Sequence, residues 1–240
     1  MPSKIIYKNT KALAYVIKQR IKESPDVITL NLKPKRRRGL IFSPGQYVQV
    51  YIPEFSRPYS ISNPPNDKFL SLTIKKQGVV STKIHQLKVG DKLSLTGPYG
   101  FFTLDNLRPN KDLIFLAGGI GITPFRSMIK TLLNNRFAHK ITLFYSEKTD
   151  KDILFKKEFK KLSSRWNNFK VIYNLTKEKK KPVGIRWLGR LDTKFLKKQL
   201  KALPDKYYFI CGSVDFVTTL WEDLKKAGVK DDNIKTETFY

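Results

Sequence analysis

The chain reads as two modules in series, an antiparallel β-barrel followed by an α/β module on a parallel sheet. Three observations predict this. Residues 12–99 hold short alternating strands punctuated by Pro and Gly. After about Pro109, apolar runs alternate with segments of helical period. At the start of this second pattern, residues 113–117 form an apolar run that breaks at Gly118, Gly119 and Gly121 and restarts as a helix.

In chain order, residues 27–32, 47–52 and 69–74 alternate apolar with polar side chains, the period of a half-buried strand. Turn signals stand between them at Ser43-Pro44-Gly45, Asn63-Pro64-Pro65 and Gly97-Pro98-Tyr99-Gly100. One short helix is predicted over 81–87. The basic run from Lys33 to Arg38 reads as an exposed loop between strands. In the second module, strands are predicted over 113–117, 141–145, 171–175 and 207–211. Helices are predicted over 124–135, 152–162, 193–203 and 214–227, the last closed by Gly228. In the helix after the glycines, Phe125, Met128, Ile129, Leu132 and Leu133 form one apolar stripe. Pro124 reads as its start, since a proline there loses no hydrogen bond. The module boundary is expected within 107–111, dividing the chain into 1–108 and 109–240.

Composition narrows the function. No apolar stretch is long and unbroken enough to span a bilayer. No apolar core of a signal peptide follows the first residues, so a cytoplasmic protein is expected. Cys211 is the only cysteine, which excludes an internal disulfide and a four-cysteine iron–sulfur cluster held by this chain alone. No metal site is expected. Lys and Arg number 47 against 20 Asp and Glu, a net charge of +27. The excess is spread, with 19 basic and 6 acidic residues in 1–108 and 28 and 14 in 109–240. Nucleic acid, an anionic surface and acidic proteins or phosphorylated ligands all suit such a charge.

A strand, a glycine turn and a helix N-terminus together make an anion site, because backbone N–H groups and the helix dipole converge on it. In the first module, Arg57-Pro58-Tyr59-Ser60 is expected to open a strand and places a planar cationic fork, a flat ring and a hydroxyl together. Gly78-Val79-Val80-Ser81 stands at the predicted short helix. Farther on come Cys211-Gly212-Ser213 and the terminal Thr236-Glu237-Thr238-Phe239-Tyr240. His85 and His139 lie in no catalytic constellation.

That ordered set resembles the ferredoxin–NADP reductase superfamily of flavin-dependent oxidoreductases, over nearly the whole chain. The resemblance implies a Greek-key barrel that binds FAD, in preference to FMN, over 1–108. A Rossmann-like domain binding NADPH or NADH would follow over 109–240. Arg57 and Pro58 would lie at the flavin phosphates, Tyr59 on the isoalloxazine, and Ser60 near flavin N5. Gly78, Val79, Val80 and Ser81 would complete the phosphate site. Gly118, Gly119, Gly121, Thr123 and Pro124 would form the nicotinamide-nucleotide loop. Cys211 and Gly212 would close the hydride-transfer site, with Glu237 and Phe239 on the flavin's other edge. Ser60, Cys211 and Glu237 would be the catalytic residues.

The resemblance implies that nucleotide choice falls after the second strand of the second module. There Ser146 and Lys148 suit a 2′-phosphate and Glu147 suits a free ribose hydroxyl; NADPH is favoured over NADH. The implied activity is hydride transfer between NAD(P)H and bound FAD, with electrons exchanged singly with a separate carrier, an acidic ferredoxin or flavodoxin. The alternatives are an NAD(P)H:flavin reductase and a nucleic-acid-binding module on a degenerate flavoprotein fold. The last rests on the charge and on aromatics among lysines, as between Phe155 and Lys161.

Overall fold

The computed structural model describes residues 12–36, 39–53, 55–105, 107, 111–200 and 202–239. Packing divides the chain into two units, with the break between Phe101 and Phe102. The boundary read from sequence falls on residues 108–110, which lie outside the described residues, as do Arg37, Arg38 and Tyr240.

The first unit holds β1 (Leu13–Ser24), β2 (Val27–Pro34), β3 (Tyr47–Ile52), β4 (Phe55–Ser60), β5 (Leu70–Lys75), α1 (Val79–Gln86) and β6 (Lys92–Tyr99). The strand order is β4-β3-β6-β1-β2-β5 with every pairing antiparallel. The insertion of β6 between β1 and β3 is the Greek-key step. An antiparallel bridge from Ile61 to Leu72 joins the two ends of that order, so the sheet closes into the expected barrel. Ile17, Leu30, Leu32, Val48, Val50, Leu72, Ile84 and Leu95 fill it without exposure.

Local differences from the sequence reading have physical causes. β1 carries register breaks after Ile17 and after Lys22, which shift the phase of its alternation and hide its period. Arg57 to Ser60 ends β4 instead of opening a strand. Pro58, which has no N–H, is tolerated there because β4 lies at one end of the strand order, beside β3 alone. Lys33 and Pro34 belong to β2, so the basic loop begins at Lys35. α1 starts at Val79, with Gly78 as its N-cap, two residues before the expected start.

The second unit contains β7 (Asp112–Gly118), α2 (Ile122–Asn134), β8 (Ile141–Glu147), α3 (Lys156–Arg165), β9 (Phe169–Leu175), β10 (Ile185–Leu188), α4 (Thr193–Gln199), β11 (Lys206–Ser213), α5 (Val214–Lys226) and β12 (Ile234–Phe239). Its sheet is parallel throughout, in the order β10-β9-β8-β7-β11-β12. The order reverses direction between β7 and β11, the switch point where open α/β sheets bind ligands. On one face Ile114, Leu116, Phe144, Ile172 and Ile210 pack against α4 and α5. On the other, Phe115 stacks 5.0 Å from Phe125 of α2 and 5.3 Å from Phe209. Phe102 joins this aromatic group at 5.8 Å from Phe125 and 5.6 Å from Phe209, which ties it to the second unit.

α2 begins at Ile122, which makes Pro124 its third residue, still within the turn whose N–H groups have no partner. The helix expected from Asp152 is interrupted. Asp150–Asp152 forms a separate 3₁₀ turn closed by reciprocal bonds between Thr149 and Asp152, and left-handed Phe155 (φ 56°) precedes α3. α4 stops at Gln199, four residues short, because Leu200 is extended. α5 ends as expected: Gly228 N–H donates to Lys225 O and Val229 N–H to Leu224 O. Among the described residues no helix is long and apolar enough to cross a membrane.

Phe115 is fully buried against two other rings, those of Phe125 and Phe209. Phe115→Ala is expected to cost about 3–5 kcal/mol. Urea unfolding followed by far-UV circular dichroism measures it.

Candidate functional site

Each unit carries one cluster of the residues singled out from sequence. In the first unit they lie on the end of β4 and the start of α1, which is packed against β4 with Lys83 Nζ 5.4 Å from the Phe55 ring. Arg57 is exposed and donates only to its neighbour, Nη1 to Ser56 O at 3.1 Å, among the described residues. Its guanidinium is therefore presented to solvent. Tyr59 is half-buried. Burial pushes its hydroxyl up to about 12 against the opposing pull of Arg57, so the ring is a neutral flat face. Ser60 is buried, and its Oγ has no hydrogen-bond partner among the described residues.

At the start of α1 the Ser81 hydroxyl accepts from Gln77 N–H (2.6 Å) and donates to Gly78 O (3.2 Å). It thus shapes the turn, and the first-turn N–H groups of Val79, Val80 and Ser81 remain the available donors. No acidic residue stands in that turn. The donors and Arg57 suit an anion; Tyr59 and the orphaned Ser60 hydroxyl suit a ring with polar edges.

In the second unit the site is the crevice at the switch point. Gly118 at the end of β7, Ser146 one residue before the end of β8 and Asn174 one residue before the end of β9 stand in one continuous register, and on the other side of β7 the β11 pairing runs to Cys211 opposite Ala117. The turn after β7 passes so close to β11 that a Cβ on Gly121 would stand 2.3 Å from Cys211 O and 2.8 Å from Gly212 N. Both are backbone atoms, so only glycine fits. The Phe216 ring lies over the two strand-end glycines, 3.0 Å from a Cβ on Gly118 and 2.8 Å from one on Gly212. Gly119 turns the chain with φ 58°. Thr123 is buried and its hydroxyl donates back to Ile120 O at 3.0 Å, while Pro124 is buried beside it. The first turn of α2 holds no acidic residue, which keeps its N-terminus attractive to an anion.

Cys211 and Glu237 face each other in register on β11 and β12, and Phe239 lies two residues on, opposite Ser213. Burial, with the Glu237 carboxylate adding to it, pushes the Cys211 thiol well above its usual range. Burial alone lifts Glu237 from 4.5 to about 7, and its Oε2 has no partner among the described residues. Ser60 Oγ and Glu237 Oε2 are thus orphaned buried atoms at sites where a ligand's polar edge is expected, an arrangement that fits a bound flavin and nicotinamide nucleotide.

At the end of β8, Ser146 is buried and accepts from Asn174 Nδ2 at 3.0 Å, and Lys148 is exposed. Glu147 accepts from Tyr145 Oη at 3.0 Å. Asn174, Gly189 and Phe216 escaped the sequence reading. Asn174 had a visible signal: it interrupts the apolar run Val171-Ile172-Tyr173 one residue before the strand ends at Leu175. His85 Nε2 lies 2.9 Å from Ile74 O, a packing role. Among the described residues no group of His, Cys, Asp and Glu could hold a metal ion.

Two protein families match the chain: the oxidoreductase FAD-binding domain over residues 14–104 and the oxidoreductase NAD-binding domain over 115–221. Sulfhydrogenase 1 subunit gamma of Pyrococcus furiosus is 33% identical over 207 residues, covering 84% of this chain and 69% of that protein. The flavohemoprotein of Bacillus subtilis is 30% identical over 94% of this chain, which spans only 58% of that protein's length. The fold is shared with a ferredoxin NADP+ reductase from Neisseria gonorrhoeae with bound FAD and NADP, at a TM-score of 0.83 and 21% identity, covering 96% of this chain and 99% of that one.

Two outcomes are expected from this geometry. Gly121→Ala must push the turn off β11, so its melting temperature falls and its affinity for nicotinamide nucleotide falls at least tenfold, read by calorimetric titration. Glu237 binds its proton more tightly folded than unfolded, so the stability it contributes is full below pH 4.5 and is lost as pH rises through about 7. Wild type should therefore lose stability relative to Glu237→Gln between those values, in denaturant titrations run across that range.

Proposed function

The chain belongs to the flavoprotein oxidoreductases of the ferredoxin–NADP reductase type, and from that premise we propose that it exchanges electrons between NADPH and a separate, acidic electron-carrier protein. FAD, when bound, supplies hydride exchange with the nicotinamide and electron exchange in single steps. The chain's own residues bind, orient and shield. Arg57 and the first turn of α1 hold the phosphates, and the neutral ring of Tyr59 packs on the flavin. Ser60 Oγ hydrogen-bonds the ring near its reacting nitrogen. The glycine turn and the start of α2 hold the nucleotide.

Glu237 holds or releases a proton near neutral pH, at a carboxylate whose Oε2 is buried without a partner among the described residues. Cys211 contributes a neutral thiol that packs the nicotinamide side and keeps water out. Hydride exchange needs no general base.

The observation that carries NADPH is the division of the β8 end between two faces. Ser146 lies with Asn174, whereas Glu147 is held by Tyr145 Oη on the opposite side of the strand. The two oxygens of that carboxylate already accept from within the chain, Oε1 from Tyr145 Oη and Oε2 from the Lys148 N–H at 3.3 Å, and the exposed Lys148 side chain supplies a positive charge. The acidic carrier rests on the net charge of +27, which steers an acidic partner at long range. The sulfhydrogenase subunit and the ferredoxin reductase among the relatives support an electron-transfer role of this kind.

The test begins with the visible spectrum of the purified protein, followed by anaerobic addition of NADPH or NADH. Flavin retained through purification and bleached faster by NADPH supports the proposal. Flavin that is bound only as a passing substrate overturns it in favour of a free-flavin reductase. With an acidic ferredoxin as acceptor, the rate should fall severalfold from low to high ionic strength; an acceptor rate indifferent to salt removes the acidic carrier. Lys148→Ala should raise KM for NADPH severalfold and leave KM for NADH unchanged in steady-state assays.

A further inference from the structure

Asn174 sits one residue before the end of β9, 1% exposed, in register with Ser146 of β8. Its amide nitrogen lies 3.0 Å from Ser146 Oγ and 3.1 Å from Gly189 O. A carbonyl oxygen can only accept, so the Gly189 carbonyl fixes which way the amide faces. Gly189 is itself tied to the end of β9: it has φ 123°, a conformation that favours glycine, and its N–H donates to Leu175 O at 2.7 Å. With one N–H on Gly189 O, the other is given to Ser146 Oγ. Ser146 must then accept at that contact, and its own proton is directed elsewhere.

Among the described residues Ser146 donates to none. Asn174 Oδ1 is also buried without a partner. An unpaired buried amide oxygen is destabilising, so stability alone does not account for an asparagine here.

We propose that Asn174 is a positioning residue that sets nucleotide preference: by donating to Ser146 Oγ, it makes the Ser146 hydroxyl an outward donor matched to the acceptor-only 2′-phosphate of NADPH. A phosphate monoester takes that donation and returns nothing, which is what this hydroxyl requires. A ribose 2′-hydroxyl must also place its own proton, and the carboxylate on β8, Glu147, already accepts from Tyr145 Oη and from the Lys148 N–H. The inference rests on the proposed use of NADPH and adds the group that enforces it.

The experiment is calorimetric titration of the FAD-loaded protein with 2′,5′-ADP and with 5′-AMP, for wild type, Ser146→Ala and Asn174→Asp. Wild type should prefer 2′,5′-ADP. Ser146→Ala leaves the bond between Asn174 and Gly189 intact and removes only the donor. It should lose roughly ten- to hundredfold in affinity for 2′,5′-ADP, the effect of one hydrogen bond to a charged group, and keep its affinity for 5′-AMP. Asn174→Asp turns the Ser146 proton inward onto a carboxylate and should lower the ratio of the two affinities at least as far.

A merely structural asparagine would weaken both ligands together and lower the melting temperature without moving that ratio. A wild-type preference for 2′,5′-ADP that survives in Ser146→Ala, or in folded Asn174→Asp, overturns the role of Asn174 and leaves NADPH use standing. A wild type that binds both ligands equally overturns NADPH use, and the inference with it.

Discussion

The second unit depends on one close approach, that of Gly121 to the backbone of Cys211 and Gly212. With a Cβ 2.3 Å from a carbonyl oxygen forbidden, the turn can press directly against β11 only because the side chain is absent. That contact sets where α2 begins and so where its N–H groups point. It also holds the strand ends of β7 and β11 together at the reversal of strand order, leaving the crevice in which a dinucleotide's phosphates can reach backbone donors. Phe216 seals the floor over Gly118 and Gly212, so bulk at either glycine would meet an aromatic ring.

The polar side chains of the two sites separate into those with internal partners and those without. Ser81 and Thr123 spend their hydroxyls on their own turns. Their contribution to a ligand is indirect, through the N–H groups those turns expose. Ser60 Oγ and Glu237 Oε2 are buried and have no such partner among the described residues. A buried polar atom without a partner costs stability, so these two atoms are the ones a bound group with polar edges would satisfy under the proposed function. The lifted proton affinity of Glu237 has the same origin, a carboxyl removed from water with no cation supplied to it. The strong positive charge of the chain is therefore a property of its surface and leaves this carboxyl untouched.

Much of this was legible in the sequence. The two folding patterns, the glycine turn, the apolar stripe of α2 and the capped end of α5 follow from local rules of period and turn chemistry. Errors gathered where those rules are interrupted by something nonlocal. β1 hid behind its bulges, α3 was started too early because Phe155 adopts a left-handed conformation, and the 57–60 tetrad was placed at the wrong end of its strand. Each depends on pairing or packing with a distant segment.

The sequence by itself determined the order of modules, the residue types available for stacking, phosphate binding and proton holding, and the charge presented to partners. These are set by composition and by spacings within a few residues. Only the tertiary structure decided which of those groups are spent and which are free. Ser146 and Glu147 are neighbours in sequence, yet one faces Asn174 and the other Tyr145, because consecutive strand residues point to opposite faces of the sheet. The direction in which the Ser146 hydroxyl donates is fixed by an amide 28 residues away and a carbonyl beyond it, a relation that exists only once the parallel strands are in register.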